Sequence, residues 1–117
     1  MSLNAFIARL GHDNQLEFEE TMALIEAHYT YTPARFSNGL DSDAVVNEAG
    51  SNEGSCKIFA FAQLNSLNAD QTLACFGRFY RSDVLQNPDG NDHANIRNFI
   101  RHGWAGICFE QPALTAK

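Results

Sequence analysis

Between Ile58 and Leu64 the chain reads IFAFAQL, apolar at every position but Gln63. Drawn as a helix, this run has no polar face, and a helix apolar all round has to be buried. A short buried strand is the alternative, but the alanines and the polar residues just before it favour a central helix from about Gly54 to Asn65, capped by Asn52 or Ser55. The remaining apolar stripes are one-sided and must wrap it. Leu3, Phe6, Ile7 and Leu10 predict a first short helix that stops at Gly11. Phe18, Met22, Ile25 and Tyr29 give a second, from about Gln15 to His28, with Asn14 and Glu17 as its capping box. Asn68 and Gln71 cap the next, whose stripe is Ala69, Leu73, Phe76 and Tyr80; Gly77 inside it signals either a weak helix or a second backbone packed closely there. Asp92 caps a last helix carrying Ile96, Phe99 and Ile100 and closed by Arg101, His102 and Gly103. Arg97 and Asn98 fall on its polar face.

Between these stripes lie the breakers. Pro33 biases Thr32 to an extended conformation, so HYTYTPARF reads as an aromatic-rich connector, and Ser37-Asn38-Gly39 as a turn. Asn87-Pro88-Asp89-Gly90 has the residues of a type I turn. Ala44 to Val46 suggests a very short strand, and Ile107 to Glu110 is its natural partner. The fold class that follows is mainly α, about five short helices around a buried one with a small two-stranded β patch, in a single domain spanning residues 1–117. The core expected from these stripes is Ile58, Phe59, Phe61, Phe76, Phe99, Ile100 and Trp104.

Charge and cysteine usage narrow the function classes. Fourteen acidic against eight basic residues give a net charge of −6, with no basic cluster, so the phosphate-neutralising contacts of nucleic-acid binding are missing. No apolar run approaches the roughly 20 residues of a membrane span, and the start lacks the features of a signal peptide, which predicts a soluble protein with no membrane partner. Cys56, Cys75 and Cys108 are odd in number and show no metal-ligand spacing, as expected for a reducing, cytoplasmic setting.

The candidate chemistry lies in three polar segments: the NEAGSNEGSC loop, the HYTYTP connector and the NPDGNDH turn. Loops on a rigid scaffold are where sites tend to lie. Together they nominate His28, Tyr31, Asn47, Glu48, Asn52, Glu53, Asp92 and Arg97 as ligand-binding residues, for a small polar ligand or a protein partner. GSNEGSCK is no phosphate loop, because its Gly spacing is wrong, Ile58 stands where Ser or Thr should hold magnesium, and Glu53 would repel phosphate. Cys56 falls in the first turn of the central helix, where the dipole favours a thiolate, and His93 or His28 could serve as its base for acyl transfer or hydrolysis. The plainer reading of Cys56 is a small buried hydrophobe, and Cys75 and Cys108 read as core. Metal binding by Asp89, Asp92 and His93 with Glu48, Glu53 or His28 is the other chemical alternative; turn and capping roles explain the turn residues better, so no metal or cofactor is expected. Trp104 reads as a core anchor whose indole N–H finds one partner.

The segments HYTYTPARFSNG, VVNEAGSNEGSCKIFAFAQL, TLACFGRFYRSDVL and NPDGNDHANIRNFIRHGWAGICFE resemble the HopJ type III effector family over most of the chain from His28 to Glu110. The resemblance implies a small bacterial protein of a family named for secreted effectors of plant pathogens. It brings no catalytic mechanism with it.

Overall fold

The apolar run folds as helix α3, Glu53–Leu64, in a computed structural model that describes residues 2–117. Ile58, Phe59, Phe61 and Ala62 of α3 are fully buried. Phe61 is flanked edge-on by Phe6 and Tyr29, each ring centroid 6.0 Å away, while Phe59 meets Phe36, Phe76, Phe99 and Trp104. Such edge and tilted contacts add to the area that each ring removes from water. One side of α3 therefore packs on α1 (Leu3–Arg9) and α2 (Phe18–His28), and the other on α4 (Ala69–Ala74) and α5 (Ala94–His102). Trp104 is half-buried, and its indole N–H donates to the Leu67 carbonyl at 3.1 Å.

The β content exceeds the expected patch. β1 (Tyr29–Tyr31) pairs with β5 (Leu114–Ala116), and β2 (Phe36–Asn38) lies between β3 (Val45–Asn47) and β4 (Ile107–Phe109), all antiparallel. The aromatic-rich connector is thus two strands broken at Pro33, which cannot donate to a ladder. The segment 107–110 does not pair with 44–47 directly: Ser37 sits opposite both Val46 and Cys108, so β2 fills the gap. Ser37 and Asn38 belong to this strand rather than to a turn. The bend follows at Gly39 and Leu40, where Gly39 has φ +115°.

Helix ends moved where side chains had better offers. α2 begins at Phe18 instead of Gln15, and its capping box is Glu17 with Glu20, not Asn14 with Glu17. Glu17 is held there by Arg78 at 2.6 Å and Arg81 at 2.7 Å. α4 has the expected Asn68–Gln71 capping box but stops at Ala74, short of Tyr80. The cause is Gly77, at φ +60°, where a Cβ would stand 2.6 Å from the Phe18 amide nitrogen. A second backbone does pack there, and a π-helical turn, Phe79–Val84, follows. In α5, which is capped by Gly103 as expected, Ile100 is 46% exposed instead of buried, because the core side of the helix is taken by Ile96 and Phe99.

Candidate functional site

Five asparagines tie the start of α3, the β2–β3 hairpin and α5 together. Asn95 on the first turn of α5 donates to Asn47 Oδ1 at 2.9 Å, and Asn47 Nδ2 donates back to Asn95 Oδ1 at 3.1 Å. Asn38 donates to the Asn95 carbonyl and side-chain oxygens at 2.8 and 3.0 Å. Asn98 donates to the Asn38 carbonyl at 3.1 Å, and Asn52 to Asn47 Oδ1 at 2.7 Å. All but Asn52 are buried. Inside a protein such amide pairs are strong, and each would be costly to leave unmade.

This network draws the N-terminal ends of α3 and α5 to one cleft of about 340 Å³. Asn52 and Ser55 border it on one side and His93 and Asn95 on the other, with Phe18, Phe76 and Phe79 as its apolar wall. Gly54 makes that wall close: a Cβ there would lie 2.6 Å from the tip of the Phe18 ring. The residues at both helix starts, Asn52 and His93, have left-handed backbones, with φ 50° and 51°, and neither side chain caps its helix. Asn52 is the N-cap residue of α3, as expected, but its side chain donates to Asn47 instead of accepting from the helix. Asp92 is not the cap of α5.

His93 packs on Phe79, with centroids 5.4 Å apart, and its Nε2 lies 3.0 Å from Asp83 Oδ2 on the π-helical turn. An ionised carboxylate can only accept, so Nε2 is the donor in this contact. The cleft therefore offers amide donors from two first turns, the Ser55 hydroxyl and an imidazole fixed by a carboxylate. Among the described residues, no three His, Cys, Asp or Glu side chains are arranged to hold a metal ion.

The other nominated residues lie elsewhere. Cys56 is buried on a different side of α3, where its thiol points to the Ala34 carbonyl at 3.7 Å. Burial pushes that thiol up, against the direction that a nucleophile needs. Tyr31 is half-buried; burial raises its phenol, the neighbouring Glu53 and Cys56 add to that rise, and Lys57 stands 4.7 Å over its ring. Glu53 opens α3 as an exposed residue, and Glu48 pairs with Arg35 at 3.1 Å. His28, half-buried at the end of α2, is not among the cleft residues. Arg97, expected on an outer polar face, is buried: it binds Asp92 Oδ1 at 2.6 Å and the Asn87 carbonyl at 2.8 Å, clasping the 87–92 turn. Cys108, expected in the core, is exposed on β4, while Cys75 is buried. Of the nominated set, Asn52 and His93 border the cleft and Asn47 supports it.

Asn38, Asn95, Asn98 and Asp83 were missed by sequence reasoning. A signal existed for two of them, since Asn95 and Asn98 stand three residues apart on one helix and so share a face. Nothing local marked Asn38 or Asp83.

Residues 3–114 match the family model of the HopJ type III effector protein. The crystal structure of VPA0580, a protein of unknown function, is similar over 100% of this chain and 95% of its own, with a TM-score of 0.92 and 56% sequence identity. Among curated proteins none matches. Among the described residues, no helix is long and apolar enough to cross a membrane.

Proposed function

We propose that this chain, which belongs to the HopJ type III effector protein family, is a single binding domain whose small polar ligand occupies the cleft between the starts of α3 and α5. The observation that carries this reading is the convergence of two helix starts without side-chain caps, Ser55 and a carboxylate-anchored His93 on one open cleft. A ligand that accepts from the first-turn amides and hydrogen-bonds the imidazole would complement it. Catalysis by Cys56 is disfavoured by its burial and raised thiol. Three free thiols fit a reducing compartment.

A thermal-shift screen with small carboxylates, phosphates and amides tests the reading. Some of these compounds should stabilise the native protein but leave Ser55→Trp, which fills the cleft, unchanged. Equal stabilisation of both proteins, or of neither by any compound, would remove it.

A further inference from the structure

A continuous row of three rings runs along the α3–α5 cleft. Phe18 meets Phe79 edge-on with centroids 5.1 Å apart, and Phe79 meets His93 at 5.4 Å with the two planes tilted by 35°. All three residues border the cleft and are only half-buried, unlike Phe59 and Phe61, which are spent wholly on the core. Ring surface left uncovered at the wall of a cleft is covered favourably by another flat apolar surface, and ring against ring adds to the area removed from water.

Charge restricts the ligand further. Among the described residues that line the cleft none is Asp, Glu, Lys or Arg, so His93 is its one ionisable side chain. That imidazole is already matched by the Asp83 carboxylate at 3.0 Å, with Asp92, itself paired with Arg97, at 4.0 Å. An anion would therefore gain no unmatched cation here, in a chain of net charge −6. A neutral amide loses nothing by this: its carbonyl accepts from main-chain N–H groups, and its N–H finds an acceptor in a hydroxyl such as that of Ser55. The volume of about 340 Å³ is near the small end of ligand pockets, roughly 300 to 1,000 Å³, and suits one or two rings.

We infer that the ligand of this cleft is a neutral, flat aromatic molecule bearing an amide, with its ring against Phe18 and Phe79 and its amide toward the helix starts; the inference rests on the cleft being a binding site. Three matched probes separate ring, amide and charge. Benzamide has the flat ring and the amide, cyclohexanecarboxamide keeps the amide without the flat ring, and benzoate keeps the ring but carries a carboxylate. Each is titrated near neutral pH into ¹⁵N-labelled protein and read at the Gly54, Ser55, Ala94 and Asn95 amides. Benzamide should saturate these shifts about fivefold more tightly than either comparator. Phe79→Leu should weaken benzamide by about fivefold and leave cyclohexanecarboxamide unchanged, a selectivity that general damage to the fold would not produce. In the unaltered protein, nuclear Overhauser contacts should join the benzamide ring protons to those of Phe18 and Phe79, so the test does not depend on the variant. Either comparator binding as tightly as benzamide would overturn the inference and leave the cleft a binding site. Cleft amides that respond to none of the three would also overturn it, and the binding reading would then stand only if another compound of the thermal screen moved the same amides.

Discussion

Asn47 and Asn95 face each other as a reciprocal amide pair, each donating to the other's side-chain oxygen at 3.1 and 2.9 Å, and so lock the end of β3 to the first turn of α5. Both are buried, at 1% and 6% exposure, so neither can replace its partner with bulk water. Asn95→Ala takes from the Asn47 amide its shortest acceptor, leaving only the 3.4 Å contacts to the Phe36 and Val45 carbonyls, and removes one acceptor from Asn38. The expected loss is about 2 to 3 kcal/mol in urea unfolding, within the range for buried groups left unsatisfied. A loss no larger than that of an exposed Asn91→Ala control would show that the network does not hold these elements.

Gly77→Ala should also be costly, for a different reason. Its φ of +60° penalises any L side chain, and the added Cβ would have to displace the Phe18 backbone from 2.6 Å. Strain and overpacking together predict about 2 to 4 kcal/mol of destabilisation. An unchanged denaturation midpoint would mean that the break after α4 has another cause.

Thiol labelling separates the three cysteines. Burial raises the thiols of both Cys56 and Cys75, the latter to about 12, so little thiolate exists at neutral pH and access is poor as well. Cys108 is exposed. Iodoacetamide should therefore modify Cys108 alone in the native protein, as peptide mass spectrometry would detect. Cys56 reacting faster than Cys108 would revive a catalytic role.

Acid should weaken the junction of α2 with the segment after Gly77. The Glu17 carboxyl is held below its usual range first by Arg78 and then by Arg81, and that of Asp92 by Arg97. A carboxylate whose folded pKa lies below its unfolded value stabilises the fold above the unfolded pKa, and this contribution is lost as pH falls through the folded one. The melting temperature should accordingly drop as pH falls below about 4.3, the ordinary Glu value. Glu17→Gln should melt lower than the parent near neutrality and converge with it in acid. Parallel melting curves at every pH would contradict this assignment.

The elements built on long periodic stripes were legible in the sequence. IFAFAQL announced α3 because no placement of that run avoids burial, and Asn68 with Gln71 announced the start of α4 because a capping box is a local device. Three-residue strands carry too little pattern to reveal their partners, so the insertion of β2 between β3 and β4 was out of reach. The site was legible in part. The NEAGSNEGSC loop does border the cleft, through Asn52, Gly54 and Ser55. Arg97 misled because a charged side chain on a helix is usually solvated, whereas here the carbonyls of the 87–92 turn bury it. The Asp83 contact with His93 bridges ten residues through a π-helical turn that no periodicity predicts.

The central claim is that the starts of α3 and α5 form one binding cleft, and amide-resolved NMR tests it most directly. The compound that most stabilises the protein in the thermal screen is titrated into ¹⁵N-labelled chain. The account predicts that the amides of Gly54, Ser55, Ala94 and Asn95 shift together along one saturation curve. It also predicts that His93→Asn, which tolerates the left-handed backbone but removes the imidazole, weakens that curve by about tenfold, the loss of roughly one good hydrogen bond. Shifts confined to other parts of the molecule, or cleft amides that respond with unrelated affinities, would contradict it.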